Sequence, residues 1–522
     1  MNRYSILWAD DEIELLKPHI LFLTSKGYNI TPVNSGADAL DKITKEKFDV
    51  VFMDEHMPGM SGLETLSKIK NIRPNLPVVM ITKSEEEHIM EEAIGSKIAD
   101  YLIKPINPNQ ILLSLKKILD NKKLIEDKTN TAYRQEFMNI SASFADALSH
   151  QDWAELYKKL VYWELEIEDT QNKSMVEILS LQKAEANANF SKFIMREYES
   201  WLNTPNTDRP VMSHQLMKKK VFPLVEQEKV CFLILIDNLR YDQWKILEPI
   251  LSEYFYVNEE STYYSILPTT TAYARNAIFA GLMPDEIITK YPQWWIDEEQ
   301  EESKNNYENE LLNELWKRHK IEGKISYHKI RNQENGKNLA SSIHNLYNNK
   351  LNVIVYNFVD MLSHARTDMA MIRELAPDES AYRSLTRSWF LHSTLFDILK
   401  KISENPNAKL IITTDHGTIR VKNPLKIIGD KSVNTNLRYK SGKNLTYDTK
   451  NVYVCKKPER LRLPQKNIST SYVFCIEDNF FAYPNNFNYY VNYFKDTFQH
   501  GGISLEEIIV PYVVMSSKQR LN

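Results

Sequence analysis

Glycine is scarce in this sequence, and the scarcity is uneven. Only 13 of the 522 residues are glycine, against an ordinary share of roughly 7%, which excludes collagen-like and Gly/Ser-rich low-complexity chains. No glycine occurs between Gly95 and Gly281, and no proline occurs between Pro108 and Pro205. The stretch 109–204 therefore lacks both strong breakers of regular structure, and this predicts long helices there.

Cysteine, net charge and long apolar runs are limited as well. The three cysteines are widely separated and lie in or beside apolar runs, which is typical of reduced core thiols and not of disulfides or a cysteine-based zinc site. A net charge of −4 provides no overall attraction to nucleic acid or anionic membrane. No apolar run approaches the roughly 20 residues that cross a bilayer, and the acidic residues at positions 10 to 12 argue against a signal peptide. We therefore expect a cytoplasmic, multidomain protein.

The first 121 residues alternate short apolar runs with amphipathic stretches. The apolar runs lie at 4–9, 48–53, 77–82 and 100–103, and their composition is typical of buried strands. The segments between them carry apolar residues at helical spacing. Because strands that alternate with helices form a parallel, doubly wound sheet, the sequence predicts an α/β domain over residues 1–121.

A region with only helical character follows, at residues 122–204. Apolar residues such as Leu156, Leu160 and Phe190 recur there at helix-like intervals among Lys, Glu and Gln. The apolar content is too high for a disordered linker. We predict a helical bundle that links the first domain to the next.

The α/β pattern returns in residues 205–522. Near-continuous apolar runs at 230–237, 352–360 and 409–415 are typical of strands that are buried on both faces of a sheet. A polar, aromatic segment at about 284–350 separates the first two of these runs and is long enough to be a cap or insertion. The predicted fold is thus α/β, with a doubly wound parallel sheet, a helical bundle linker and a larger α/β domain.

A last apolar run, at 506–515, predicts a final strand in this domain. The run contains Pro511, which has no backbone N–H to donate to a neighbouring strand. Because proline is confined mainly to edge strands and bulges, we expect this strand at an edge of the sheet.

Polar residues follow the predicted strands of the first domain. Asp10 and Asp11 come after the first strand and Asp54 follows the run at 48–53, so all three are expected at the carboxyl edge of the sheet, where open α/β folds bind ligands. Three convergent carboxylates suit Mg²⁺, whereas Asp10 or Asp11 taken alone is equally typical of helix capping. Thr82 and Lys104 lie at the ends of later strands, where a hydroxyl and an ammonium can hold the oxygens of an aspartyl phosphate.

As an ordered set, the acidic pair, the motif DxxMPGMxG, Thr82 and the Lys-Pro step resemble the response-regulator receiver family over residues 1–121. The resemblance implies that Asp54 is phosphorylated by a sensor histidine kinase. It also implies a cis peptide between Lys104 and Pro105. The residues it assigns are Asp11, Asp54 and the His56 carbonyl for Mg²⁺, with Asp10 assisting, Thr82 and Tyr101 as the switch pair, and Lys104 as the phosphoryl contact.

Three predicted strands of the C-terminal domain end in aspartate: Asp237, Asp360 and Asp415, the last followed by His416. Each residue also has a purely structural interpretation, because strand-end aspartate is a frequent cap and a single histidine is more often structural than a ligand. Asp360 and His364, however, stand four residues apart and share one face of a helical turn. Carboxylate together with imidazole suits zinc or manganese, so the set favours a metal site.

A histidine and a threonine-rich loop complete this set. His500 immediately precedes the last predicted strand, and the segment 267–281 reads LPTTTAYARNAIFAG, a loop with three hydroxyls that runs into a helix. A threonine at a helix N-terminus is ordinarily a cap; it can also be a nucleophile beside a metal and the helix dipole. The residues alone leave Thr269, Thr270 and Thr271 open for that role.

In order and grouping, these residues resemble the alkaline phosphatase superfamily, in particular its phosphodiesterase branch and the PglZ domain, over about 210–522. The resemblance implies Thr271 as the nucleophile and a zinc-dependent phosphodiesterase activity. Arg275 is predicted either to hold a phosphate oxygen or to be a solvated helix arginine. The implied zinc ligands are Asp237, Thr271, Asp415 and His416 for a first ion, and Asp360, His364 and His500 for a second.

The order of a receiver, a helical spacer and a PglZ-like domain resembles the PorX-type response regulators. This resemblance implies a link to type IX secretion and to an alternative sigma factor. The leading hypothesis is a two-component response regulator whose output domain hydrolyses a nucleotide-type phosphodiester, and whose homodimer is favoured by phosphorylation of Asp54. Aromatic residues such as Trp294 and Trp295 either stack on a nucleotide base or serve only as packing.

Two other functions remain open at this point. The PglZ-like domain is alternatively a non-catalytic module that docks a sigma factor or another transcription partner, with structural metals. A DNA-binding regulator is the third hypothesis, and the net charge of −4 counts against it because such proteins carry a basic footprint.

Overall fold

A computed structural model describes residues 4–83, 98–170, 172–205, 208–295, 305–357, 378–429, 433–465 and 467–519. The chain divides into two compact units, Met1–Ala132 and Tyr133–Asn522. Among the residues that the structure describes, no helix is both long and apolar enough to span a bilayer.

The first unit is built on a five-stranded parallel sheet in the order β2-β1-β3-β4-β5. Two separate apolar clusters flank it, one including Ala39 and Leu66 and the other including Leu23 and Ile111. The predicted doubly wound sheet is confirmed. Its elements are β1 (Ser5–Ala9), α1 (Lys17–Ser25), β2 (Asn29–Val33), α2 (Gly36–Lys45), β3 (Val50–Asp54), α3 (Gly62–Ile72), β4 (Val78–Thr82) and β5 (Asp100–Ile103).

Strand β2 is an element that the apolar pattern does not reveal. Its sequence, NITPV, is only partly buried, because β2 lies at the edge of the sheet and pairs with β1 alone. An edge strand needs no continuous apolar run, and it tolerates proline.

The start of α3 positions the carboxyl end of β3. Ser61 and Glu64 form a capping box at the helix N-terminus, which satisfies otherwise unpaired backbone N–H groups. Gly62 follows at once, and a Cβ atom there would lie 2.3 Å from the Asp54 carbonyl oxygen. Only glycine allows so close an approach, so the MPGMSG segment packs directly against the backbone of Asp54.

Three long helices connect the sheet-forming regions, as the absence of glycine and proline predicts. They are α4 (Pro108–Ser143), α5 (His150–Thr170) and α6 (Lys173–Asn203). Trp153, Leu160 and Phe190 share one apolar cluster with strand residues such as Phe232 and Leu410. From Tyr133 onward, the helices therefore belong to the same compact unit as the C-terminal sheet.

Two leucines on α6 test this packing. Leu179 is 3% exposed and Leu181 is 72% exposed. We expect Leu179→Ala to lower the free energy of unfolding by about 2–5 kcal/mol, because it opens a cavity in the shared core. Leu181→Ala is the matched control and changes stability by less than about 0.5 kcal/mol. Thermal unfolding of the full chain measures both, and equal midpoints for the two variants would contradict the packing.

The main sheet of the second unit has six strands in the order β7-β19-β10-β6-β9-β8. The four strands β10, β6, β9 and β8 run parallel, and β19 is antiparallel to both of its neighbours. The predicted larger α/β domain is confirmed. The strands are β6 (Val230–Ile236), β7 (Phe255–Tyr264), β8 (Ile325–Ile330), β9 (Leu351–Tyr356), β10 (Ala408–Thr413) and β19 (Ile509–Ser517).

The expected edge position of the last strand is wrong. Strand β19 lies between β10 and β7, and Pro511 pairs with Thr262 of β7. Proline lacks the N–H that another strand residue would donate, and the Pro511 carbonyl accepts a hydrogen bond from the Thr413 hydroxyl, at 2.8 Å. The edge is taken by β7, whose half-exposed FYVNEESTYY sequence gives no apolar run to predict it.

The segment at about 284–350 contributes to the main sheet. Its strand β8 pairs with β9 at one edge, so in the described residues the segment is joined to the sheet. The helices of this unit are α7 (Phe222–Gln227), α8 (Tyr241–Leu251), α9 (Asn276–Ala280), α10 (Pro284–Lys290), α11 (Glu308–His319), α12 (Gln333–Ser342), α13 (Glu379–Leu391), α14 (Thr394–Ser403), α15 (Phe487–Phe494) and α16 (Leu505–Ile508).

Three small sheets lie between β10 and β19 in sequence, in the orders β11-β18, β14-β12-β17 and β13-β16-β15. The last of their strands, β18, ends directly before His500. Their strands are β11 (Ile419–Arg420), β12 (Asn423–Ile428), β13 (Tyr439–Gly442), β14 (Thr446–Tyr447), β15 (Val452–Cys455), β16 (Ser471–Cys475), β17 (Asn479–Ala482) and β18 (Phe498–Gln499).

Candidate phosphoacceptor and active sites

The three carboxylates of the first unit converge at the carboxyl edge of its sheet. Each of Asp10, Asp11 and Asp54 offers one oxygen, and these oxygens lie within 4.8 Å of one another. The Lys104 ammonium lies 3.0 Å from Asp10 Oδ2 and 2.9 Å from Asp54 Oδ1. Burial raises the pKa of Asp54, although the hydrogen bond from Lys104 opposes this effect. The all-oxygen donor set fits a hard cation such as Mg²⁺.

The other predicted receiver residues lie around this cluster. Thr82 is buried at the end of β4, and its carbonyl accepts a hydrogen bond from the Lys104 N–H at 2.7 Å. Tyr101 is on β5 and 39% exposed. His56, whose carbonyl is a predicted Mg²⁺ ligand, has a largely exposed side chain. The peptide bond between Lys104 and Pro105 is cis, as expected.

In the second unit, polar residues that follow three strands lie at one edge of the main sheet. Asp237 follows β6, and Asp415 and His416 follow β10. Strand β7 runs in the same direction as β10, because both are antiparallel to β19. Its carboxyl end therefore leads through residues 265–270 to Thr271 at this same edge.

The Thr271 hydroxyl lies close to the Asp237 and His416 side chains. Its Oγ1 is 3.3 Å from Asp237 Oδ1 and 3.1 Å from His416 Nε2. Thr271 is the first residue of a π-helical turn that leads directly into α9. A hydroxyl at a helix N-terminus lies near unpaired backbone N–H groups, which favour negative charge. The local structure therefore suits a nucleophilic oxygen.

The orientation of His416 follows from its hydrogen bonds. Its Nδ1 lies 3.1 Å from the Gly417 carbonyl oxygen, and a carbonyl only accepts, so Nδ1 carries the proton. The lone pair is then on Nε2, which points toward Thr271. A histidine whose second nitrogen is fixed by a carbonyl in this way is typical of a metal ligand.

The spacing of the donor atoms tests whether these residues fit zinc. His416 Nε2 lies 3.7 Å from an Asp237 oxygen and 3.8 Å from an Asp415 oxygen. With the two Thr271 distances, the separations range from 3.1 to 3.8 Å. Ligands about 2.0–2.2 Å from a tetrahedral Zn²⁺ lie about 3.3–3.6 Å apart. One nitrogen and three oxygen donors at this spacing fit a single zinc ion.

Arg275 is completely buried beside this cluster. Its guanidinium forms an ion pair with Asp237 Oδ2 and another, at 2.9 Å, with Asp415 Oδ2. It also donates to Asn357 Oδ1 at 3.3 Å and lies 3.4 Å from Glu308 Oε1. Burial disfavours its charge, yet the two aspartates raise the pKa of Arg275 well above its ordinary value. The alternative of a solvated helix arginine is wrong.

Glu308 is a buried member of the site that the sequence does not reveal. It lies in the first turn of α11 and contacts Lys329 Nζ at 3.1 Å, Arg275 and the Tyr327 hydroxyl. Burial lowers the pKa of Lys329, and Glu308 opposes that shift. In sequence, Glu308 looks like an ordinary acidic residue at a helix start. Asn357 was missed as well, because the predicted apolar run continues to Asp360, whereas β9 ends at Tyr356.

His500 stacks on His416, with ring centroids 4.2 Å apart. Its Nδ1 lies 3.2 Å from the Thr269 carbonyl oxygen, which again directs the lone pair to Nε2. The other predicted ligands of a second ion, Asp360 and His364, lie outside the described residues. The second metal site therefore stays a prediction.

The aromatic residues near the site have partners within the protein. Trp295 lies edge-on to Tyr273, with centroids 5.5 Å apart, and Tyr291 stacks on Trp294 at 4.9 Å. These contacts favour the packing interpretation of these rings.

Comparison with known families gives three matches in chain order. Residues 6–116 match the response regulator receiver domain, residues 123–202 the PorX response regulator linker domain, and residues 216–515 the BREX system PglZ alkaline phosphatase-like domain. The last match covers more than half of the chain.

Similar curated proteins share the first part of the chain. The transcriptional regulatory protein ZraR of Klebsiella oxytoca is 33% identical over 142 residues, 27% of this chain and 32% of that protein. The alginate biosynthesis transcriptional regulatory protein AlgB of Pseudomonas putida is 32% identical over 123 residues, which are 24% of this chain and 28% of that protein. The chain thus spans about a third of the length of these relatives.

Solved structures of receiver domains are also similar to part of this chain. The response regulator receiver domain protein (CheY-like) of Methanospirillum hungatei is 28% identical in sequence. The match covers 23% of this chain and 96% of that protein, with a TM-score of 0.23. From its family matches, the chain belongs to the PglZ alkaline phosphatase-like family, and its receiver, linker and PglZ domains follow one another as in a PorX-type response regulator.

Proposed function

We propose that this chain is a two-component response regulator whose PglZ domain is a zinc-dependent phosphodiesterase with Thr271 as its nucleophile. The observation that carries the proposal is the position of the Thr271 hydroxyl, 3.3 Å from Asp237 and 3.1 Å from the Nε2 of His416. A nucleophile within hydrogen-bond reach of an acceptor and of ligand atoms is the arrangement that covalent phosphoryl transfer requires.

The charges around Thr271 support metal dependence. Among the residues that the structure describes, Asp237, Asp415 and Glu308 are buried carboxylates, and the cationic side chains of Arg275 and Lys329 contact them. Three carboxylates against two cations leave one net negative charge, which repels a phosphodiester. One divalent cation reverses the sign and attracts the single negative charge of a diester.

The reaction proceeds in two displacements at phosphorus. Oγ1 of Thr271 attacks phosphorus, the bond to the first alkoxide breaks, and the proton that the hydroxyl loses is transferred to that alkoxide, which leaves as the alcohol. Water then attacks the resulting phosphothreonine, which releases the phosphomonoester and restores the hydroxyl. Asp237, Thr271, Asp415 and His416 would hold one zinc ion, and Asp360, His364 and His500 would hold a second; bound zinc would supply Lewis-acid stabilisation of the developing charge.

The receiver domain is the part of the chain through which we propose that the protein is regulated. We propose that a sensor histidine kinase phosphorylates Asp54 with Mg²⁺ bound by the acidic cluster, and that phosphorylation favours a homodimer. Lys104, already 2.9 Å from Asp54, would contact the added phosphoryl group. The PorX-type domain order supports a role in type IX secretion, with an alternative sigma factor as a further partner.

Removal of the metal tests whether hydrolysis depends on it. After dialysis against a chelator, we expect the hydrolysis of bis(4-nitrophenyl) phosphate to fall by about 100-fold or more, because the site then carries net negative charge and lacks its Lewis acid. Zn²⁺ restores the rate. Unchanged turnover in protein shown by elemental analysis to be free of metal would contradict the proposal.

The substrate class is decided by a screen with metal-loaded protein. It compares chromogenic diesters, nucleotide diesters and short oligonucleotides, and we expect a nucleotide-type diester to give the highest kcat/KM. Equal absence of turnover in the wild type and in a Thr271 variant would instead favour a non-catalytic module that docks a transcription partner.

A further inference from the structure

The segment 417–500, which holds the three small sheets, is basic although the whole chain is acidic. It contains 14 lysine and arginine residues against six aspartate and glutamate residues, a net charge of +8. Because the whole chain has a net charge of −4, all its other residues together carry −12. Positive charge that is concentrated in one segment of an acidic protein is the electrostatic pattern of a surface that binds a polyanion.

Helix α15 carries exposed tyrosines on this basic segment. Its sequence is FNYYVNYF, and Phe487 and Phe494, seven residues apart on one helical face, pack against the small-sheet core. Tyr489 is 64% exposed and Tyr490 is 37% exposed. The ring of Tyr489 is nearly parallel to that of Tyr493, with their centroids 6.1 Å apart. Tyr489, Tyr490 and Tyr493 form what is called here the tyrosine face.

Lysines lie beside the tyrosine face. Lys426 is an exposed residue of β12, and its ammonium is 4.9 Å from the centroid of the Phe487 ring at the start of α15. Lys495 is exposed directly after the end of the helix. The next residue, Asp496, pairs with Arg420 at 3.0 Å. Exposed ammonium groups and exposed aromatic rings thus occur together at this helix.

The tyrosine face is also close in the chain to two of the proposed metal-ligand histidines. His500 is only six residues after Phe494, the last residue of α15. Six residues span at most about 20 Å, which about six stacked nucleotides cover. Strand β18, which directly precedes His500, pairs with β11, and β11 begins three residues after His416. A short single strand therefore spans the distance from α15 to His500.

We propose that the tyrosine face, with Lys426 and Lys495, binds single-stranded nucleic acid outside the active site. This inference rests on the proposed phosphodiesterase and names its substrate class. Unpaired bases stack on exposed aromatic rings, while lysines contact the phosphates. In a duplex the bases cover one another, so stacking on the tyrosine face selects single strands.

Fluorescence anisotropy of the full chain tests the inference. The probe is a fluorescein-labelled strand of about twelve deoxythymidines, within the range of single-strand site sizes. The protein carries Thr271→Val as a background, so that the probe is not hydrolysed. We expect Tyr489→Ala to raise the Kd of the strand by about fivefold or more, because one stacking ring is lost. Tyr489→Phe keeps the ring and should bind as the background does.

Tyr256 provides a matched control. It is 59% exposed on β7, and the ammonium of Lys518 lies 5.0 Å from its ring centroid, so it is also an exposed tyrosine beside a lysine. It lies outside the segment 417–500. Tyr256→Ala should therefore leave the Kd of the strand unchanged.

The salt dependence of binding tests the lysines separately. Each phosphate contact to a single strand contributes about 0.7 to the slope of log K against the logarithm of the salt concentration. Replacement of Lys426 and Lys495 together by glutamine should therefore reduce this slope by about 1.4. An unchanged slope would contradict the role of these two residues.

Three outcomes overturn the inference. The first is an equal Kd for Tyr489→Ala and Tyr256→Ala, and the second is a duplex of the same length that binds as tightly as the single strand. The third is a Tyr489→Ala variant that binds the strand normally but no longer dimerises on phosphorylation, which would identify the tyrosine face as a protein interface. If the chain with Thr271 intact hydrolyses no diester, the proposed function fails, and the Kd values still decide whether the strand binds here.

Discussion

Thr271→Val is expected to lower kcat for phosphodiester hydrolysis by about 10³-fold or more. Valine keeps the branched shape of threonine but has no oxygen to attack phosphorus, and it removes the hydroxyl that lies 3.1 Å from His416. The variant is measured with metal-loaded protein on a chromogenic diester. Zinc content per chain is determined in parallel, so that loss of chemistry is separated from loss of metal.

Thr270 provides a matched control for this experiment. It is the neighbouring residue, it is buried, and among the residues that the structure describes its hydroxyl has no hydrogen-bond partner. Thr270→Val removes the same atom one position away, so we expect kcat within about threefold of wild type. Equal loss in the two variants would mean that the loop as a whole, and not the Thr271 oxygen, supports hydrolysis.

Asp54→Asn is expected to abolish phosphoryl incorporation from a small phosphodonor. The amide is isosteric with the carboxylate but is not a nucleophile, while its environment, with Lys104 at 2.9 Å, stays in place. Intact-protein mass spectrometry detects the added phosphoryl group. Light scattering on the same samples reports the homodimer, which we expect only for the phosphorylated wild type.

Asp41→Asn is the control for the receiver. Asp41 is an exposed residue on α2 whose side chain forms an ion pair with Lys45, so the variant should be phosphorylated and dimerise as the wild type does. Phosphoryl incorporation or a donor-induced dimer in Asp54→Asn at the wild-type level would place the acceptor elsewhere.

The receiver cluster was predictable because a simple rule governs it. In a parallel sheet, the residues that follow each strand meet at one edge, and the apolar runs before Asp10 and Asp54 identify those strands. The same rule brings Asp237, Asp415 and His416 together. Thr271 could be placed near them only through the family resemblance, because β7, which leads to it, has no apolar run.

The role of Arg275 in the site could not be predicted from sequence patterns. Its position four residues after Thr271 in a helical segment is visible in the sequence, but its burial and its partners are not. Those partners lie just after β6, β9 and β10 and at the start of α11, and each contact depends on the packing of distant segments. Glu308 illustrates the same point, because an acidic residue in a first helical turn is usually exposed.

The sequence by itself determined the domain order, the long helices and the strand-end carboxylates, because local composition and strand periodicity carry that information. The tertiary structure alone decided the strand order around β19, the contacts of the Asp237 carboxylate with both His416 and Arg275, and the burial of Glu308. These features depend on which surfaces meet once the chain has folded, and no local pattern of residues records that.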